Sequence, residues 1–98
     1  MKTEEIIKLL KLNEHGSDYW SWDELDFIPE ETYKNLKEVG YETTNPRRGY
    51  VGTKTFIHNS VDDRYFFVEI YGNDMGNQIC DSGEVRPIQK TVTVYEEI

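Results

Sequence analysis

Seven carboxylates fall between Glu14 and Glu31, at positions 14, 18, 23, 24, 26, 30 and 31, with no lysine or arginine among them. The centre of that window, SDYWSWDELDF (17–27), also holds Tyr19, Trp20, Trp22 and Phe27. The formal charge of the chain is −8, yet outside the window twelve acids face eleven bases, so the excess is almost entirely this one block. Carboxylates at this density attract basic protein surfaces and repel phosphate backbones and membrane surfaces. Complementary charge of this kind speeds encounter and sets register. The expected partner-binding residues are therefore Asp18, Asp23, Glu24, Asp26, Glu30 and Glu31, with exposed edges of Tyr19 and Trp20.

A second constellation is basic and aromatic. The segment NPRRGYVGTKTF (45–56) sets Arg47, Arg48 and Lys54 beside Tyr50 and Phe56, and the strand that should follow carries Tyr65 and Tyr71. Rings on a sheet face can stack nucleic-acid bases while cations follow the backbone. Arg48-Gly49-Tyr50 begins like the RNA-recognition strand pattern, but Val51 and Gly52 break it at the next positions. The net charge opposes a phosphate chain, and Pro46-Arg47-Arg48-Gly49 also suits a solvated turn. Nucleic-acid binding through Arg47, Arg48, Lys54, Tyr65 and Tyr71 is thus the alternative to protein binding.

The remaining chemistry is sparse. His15, His58 and Cys80 lack the close pairing of zinc ligands. Counted from Asn73, the loop-like NDMGNQICDSGE (73–84) puts Met75 at position three and Gly76 at four. A calcium loop needs an acid at three and glycine at six. Ser17, Ser21, Ser60, Ser82 and Cys80 sit in no nucleophile motif, and no phosphate-binding glycine fingerprint occurs. Asp62-Asp63 and Glu96-Glu97 would diverge on a strand and suit surface charge. No metal, cofactor or catalytic group is expected, and the chain is expected not to be an enzyme.

The elements that must hold the block follow from periodicity. TEEIIKLLKL (3–12) predicts a helix: Thr3 can cap it, Glu4 and Glu5 suit its positive end, and Ile6, Leu9 and Leu10 share a face. Ser21-Trp22-Asp23-Glu24 has the capping-box spacing and predicts a helical turn over 22–26, with Trp22 and Leu25 inward and the acids outward. Pro29 ends that turn and opens a predicted helix over 29–39, in which Glu30 and Lys34 pair, Tyr33 and Leu36 face the core, and Gly40 is the cap. Alternation then predicts strands at 50–58, 64–71 and 88–96, with a turn at 59–63 and a short strand at 41–45. Phe66, Val68 and Ile70 form a core face; Tyr65, Phe67, Glu69 and Tyr71 form an unusually aromatic outer one. Residues 72–84, rich in Gly, Asn and Asp, read as a loop. Helices followed by strands predict an α+β fold: N-terminal helices on a three- to four-stranded antiparallel sheet, one domain over 1–98.

Hydrophobic content of 37% is low, but 13% aromatic residues can still build a core, unlike a disordered acidic chain. No apolar run approaches the roughly 18 residues of a membrane span. The N-terminus shows no signal-peptide pattern, and the lone Cys80 cannot form an internal disulfide. These features predict a soluble protein of a reducing cytoplasm.

The tail VRPIQKTVTVYEEI (85–98), with DDRYFFVEIYGND (62–74), resembles the ending of small uncharacterised phage and prophage proteins, which close on a Pro-led, Val/Thr-alternating strand and Tyr-Glu. The resemblance covers under a third of the chain, defines no family and carries over no site residue. It implies a bacterial host cytoplasm, and a context in which small acidic proteins inhibit host nucleic-acid machinery, sometimes by imitating DNA. The leading expectation is accordingly a non-enzymatic acidic domain that binds a basic protein surface, such as that of a nucleic-acid-binding defence complex. A further alternative is a phage structural or assembly protein, a homodimer paired through strand 88–96 as an unprotected edge.

Overall fold

The computed structural model describes residues 1–14, 21–44, 51–73, 76–88 and 97. It is an α+β arrangement: helix α1 (Thr3–Leu12), two 3-10 segments (Trp22–Glu24 and Glu30–Asn35), then strands β1 (Leu36–Thr44), β2 (Gly52–Asn59), β3 (Arg64–Asn73) and β4 (Gly76–Val85). The four strands form an antiparallel sheet in the order β1-β2-β3-β4.

One face of the sheet, here the inner face, is covered by α1 and the 3-10 segments. Ile6 and Leu10 of α1 meet Ile57, Phe66, Val68 and Ile79 of the sheet, and Leu25, Ile28 and Leu36 close the same cluster. Trp22, Phe27 and Tyr33 pack on its margin. The alternation expected for 64–71 holds here: Phe66 and Val68 are buried inward.

The N-terminus of α1 is fixed by the β2–β3 turn rather than by its own cap. Thr3 is the first helical residue, and its amide and hydroxyl donate to Asp62 Oδ2 (2.7 Å) and Oδ1 (2.8 Å). A carboxylate at the positive end of a helix satisfies orphan N–H groups and favours the dipole. Fully buried Asn59 donates to the Met1 carbonyl (3.0 Å) and to Thr3 Oγ1 (3.3 Å), and accepts from the Val61 amide (3.1 Å). The turn is therefore a dock for the helix. At the other end of α1, Lys11 bridges to Asp81 of β4 (3.1 Å).

Three expectations are corrected. Residues 29–39 are not a helix: after one 3-10 segment the chain enters β1 at Leu36. Tyr33 and Leu36 do turn toward the core, so the apolar spacing was sound. Lys37, Glu38 and Tyr41 instead take β2 as their partner, opposite His58, Ile57 and Thr55. Val39, unpaired at a bulge, is exposed. The expected Glu30–Lys34 pair is not formed, because 3-10 winding eclipses residues three apart rather than four.

Second, the loop expected over 72–84 is largely strand: β3 runs to Asn73, and Gly76–Val85 is β4, paired along β3. A bulge between Glu69 and Ile70 leaves Cys80 without a partner and hides the alternation that puts both Ile79 and Ser82 inside. At Gly83 a Cβ would lie 3.1 Å from the Phe67 ring, a close contact that the ring would have to yield to. Third, the helix predicted over 22–26 is a shorter 3-10 turn over Trp22–Glu24. The strand expected at 88–96 lies outside the described residues except for Ile88, which is exposed and not in a strand. The strand expected at 50–58 is observed at Gly52–Asn59.

Candidate functional site

The acidic connection is built around Tyr33. Its hydroxyl accepts from the Leu25 amide (3.0 Å) and lies within donating distance of the carbonyls of Leu25 (3.1 Å) and Trp22 (3.2 Å). The Trp22 and Tyr33 rings pack at 5.9 Å, tilted by 55°. Burial pushes the Tyr33 hydroxyl up to about 12, and the Asp23 and Asp26 carboxylates add to the rise. Ser21 caps the turn by accepting from the Asp23 amide (3.4 Å), and its hydroxyl bonds the Asp23 carboxylate. Among the described residues no side chain accepts from the Ser21 amide, so the box expected from Ser21 and Glu24 is closed on one side only.

With Leu25 and Ile28 drawn inward, the acids between and after them are turned out. Asp23, Glu24, Asp26, Glu30 and Glu31 are all exposed. None of the five forms an ion pair among the described residues. Lys34 stands beside Glu30 and Glu31 at a shallow hollow without bonding either. Several acids elsewhere in the fold are engaged: Glu14 and Asp81 with Lys11, Glu84 with Arg64 (2.9 Å), Asp63 with His58 (2.7 Å). Asp18, Tyr19 and Trp20 lie outside the described residues.

Behind this ridge a cavity of about 380 Å³ opens between the Trp22 turn and the inner face of the sheet. Ser21, Trp22 and Asp23 form one wall, and Glu38 of β1 comes from another side. Its floor is Thr53 and Thr55 of β2, Ile70 and Gly72 of β3, and Asn77 of β4, with Val51 at the rim. No lysine, arginine or histidine stands among these described lining residues. Glu38 thus joins Asp23 at one site, a neighbour that the helical expectation for 29–39 hid. A signal was present in the sequence: on β2 the inner positions run Thr53, Thr55, Ile57, so that face turns polar toward one end.

The basic-aromatic constellation is divided. Lys54, Phe56, Tyr65 and Phe67 share the outer face, where the Lys54 ammonium sits 4.3 Å from the Phe67 ring centroid, and His58 and Tyr65 stack at 4.7 Å. Tyr71 departs from expectation: it is only 3% exposed, its hydroxyl 3.1 Å from Gln78 Oε1, so its ring is not offered for stacking. Arg47 and Arg48 lie outside the described residues. An apolar groove on this face runs between Val39, Phe56, Tyr65, Val85 and Pro87.

Burial pushes the half-buried Cys80 thiol up to about 12, with Glu69 adding to the rise, which disfavours the nucleophilic thiolate. Among the described residues no three of His, Cys, Asp and Glu gather where a metal ion could be held. No helix among them is long and apolar enough to cross a membrane. Comparison of the chain with protein-family models, with curated proteins and with solved structures finds no match in any of the three.

Proposed function

We propose that this chain is a non-enzymatic, acidic protein-binding domain that engages a basic surface through the connection 23–31. One observation carries the proposal: Asp23, Glu24, Asp26, Glu30 and Glu31 are exposed and form no ion pair among the described residues, while their backbone is held by the Tyr33 hydroxyl and the buried Leu25 and Ile28. Like charges gathered on a fixed scaffold repel one another and destabilise the compact state slightly. A cationic surface would relieve that repulsion, and the ordered backbone lowers the entropic cost of association. A partner that normally holds nucleic acid has such a surface. Inhibition of a host nucleic-acid-binding complex by a phage-encoded protein is the biological form that fits, with spaced carboxylates standing in for phosphates.

The test is capture of partners from bacterial lysate by the intact chain across a salt series. Salt-sensitive capture of a nucleic-acid-handling protein, lost when Asp23, Glu24 and Asp26 are changed to Lys, is expected. Capture unchanged by that triple reversal would overturn the assignment to this segment. A gel shift of RNA by the chain, abolished by Lys54→Ala and Tyr65→Ala, would transfer the function to the outer face.

A further inference from the structure

The cavity behind the ridge has properties that the ridge alone does not explain. Two carboxylates, Asp23 from the turn and Glu38 from β1, line it without an ion pair among the described residues. Thr55 on its floor is only 7% exposed. A hydroxyl that lines a cavity can accept from a ligand donor. The lining is also partly apolar, through Trp22 and Ile70. Acceptors and acids around a partly apolar slot suit a cation on an aliphatic stem better than a hydrated metal ion, which would take oxygen ligands on all sides.

We propose that this cavity is the anchor pocket for one arginine side chain of the protein partner, its guanidinium held between Asp23 and Glu38 and its stem lying along Trp22. The inference rests on the protein-binding function proposed above and adds to it the side chain that is recognised. Arginine fits because its planar fork presents five N–H donors to the two carboxylates and the neutral oxygens of Thr55 and Asn77, whereas lysine presents three from a point. The guanidinium also stacks on an indole face. A volume of about 380 Å³ admits one long side chain. Arginine buried at the centre of an interface and ringed by weaker contacts is a common energetic anchor, and the exposed ridge acids would form that rim.

The probe is the capped tripeptide acetyl-Gly-Arg-Gly-amide, compared with its citrulline counterpart, which keeps the shape and loses the charge. Binding to the full chain is followed by amide resonances and the Trp22 indole N–H. The arginine peptide should shift Thr55, Gly72, Asn77 and the Trp22 indole, and the citrulline peptide should bind at least about tenfold more weakly. Glu38→Gln should weaken the arginine peptide by about tenfold with an unchanged melting temperature, whereas Glu31→Gln, off the cavity, should change it by less than about twofold. Shifts confined to residues 24–31, or equal binding of the two peptides, would overturn the inference. Salt-sensitive capture of a partner that survives Glu38→Gln intact would overturn the pocket and leave the acidic ridge standing. Cavity shifts with arginine selectivity but no capture by the chain would overturn the ridge and leave the pocket.

Discussion

The turn NSVDD (59–63) and the connection SWDELDFIPEE (21–31) are both short, polar and acidic, and both adjoin the same core. In the turn each carboxylate has an internal partner: Asp62 holds the first residue of α1, and Asp63 holds His58. In the connection the internal bonds are made by Tyr33, Ser21 and the backbone, and the exposed carboxylates have no cation partner among the described residues. Composition does not separate a structural acid from an available one. What separates them is whether another element brings donors within reach. Helix α1 does so for the turn, through Thr3 and the contacts of Asn59.

The contrast is tested most strongly at the turn. Asn59→Ala removes a fully buried amide and orphans the Met1 carbonyl, so denaturant unfolding should show a loss of about 2–3 kcal/mol with an unchanged m-value. A loss below about 0.5 kcal/mol would mean that α1 docks without the turn.

Asp62→Ala comes next, at about 1–2 kcal/mol near neutral pH, as for loss of a helix cap. Burial works to raise the Asp62 pKa, but the Thr3 amide and hydroxyl and the Arg64 amide outweigh it and hold the carboxyl below the usual range. A carboxylate whose folded pKa is depressed adds stability above its unfolded value and loses it as pH falls through the folded one. The gap between wild type and Asp62→Ala should therefore be constant from pH 6 to 8 and shrink below about pH 4. A gap that persists at low pH would assign the effect to packing and not to the ionised cap.

On the other side of the comparison, Tyr33→Phe removes the hydroxyl that ties Leu25 and Trp22 and should cost about 1 kcal/mol, measured by the denaturation midpoint. The same change should weaken capture of a basic partner in parallel, because the ridge loses its fixed backbone.

Much of this comparison was legible in the sequence, for reasons specific to each element. The 3.6-residue stripe of Ile6, Leu9 and Leu10 and the alternation of Phe66, Val68 and Ile70 each matched one period, and α1 and β3 formed where expected. The outward turn of Asp23, Glu24 and Asp26 followed from Trp22 and Leu25 needing the core. Strand β1 was hidden because EETYKNLKEV has helix-forming residues and apolar spacings of three and four. Its strand character comes from β2 lying alongside. Strand β4 was hidden because Gly, Asn, Asp and Ser dominate it and the bulge at Cys80 interrupts its alternation. Both misassignments share one cause, hydrogen-bond partners distant in sequence. Together they concealed the cavity, since Glu38 and Asn77 come from those two strands.

The smallest expected effect on stability cuts deepest between the two regions. Neutralising Glu24, Asp26, Glu30 and Glu31 together (to Gln, Asn, Gln and Gln) removes four exposed charges with no ion pairs to lose among the described residues. Stability should stay within about 0.5 kcal/mol of wild type, with any change toward greater stability as like-charge repulsion falls. A cost comparable to that of Asp62→Ala would mean that these carboxylates are structural after all, and the distinction between turn and connection would dissolve. The association with a basic partner should move the other way. Four fewer charges at the interface lower the on-rate and flatten its dependence on ionic strength, since steering scales with complementary charge. Unaltered folding joined to a lost salt dependence is what an available surface requires, and no carboxylate of the 59–63 turn should behave in that way.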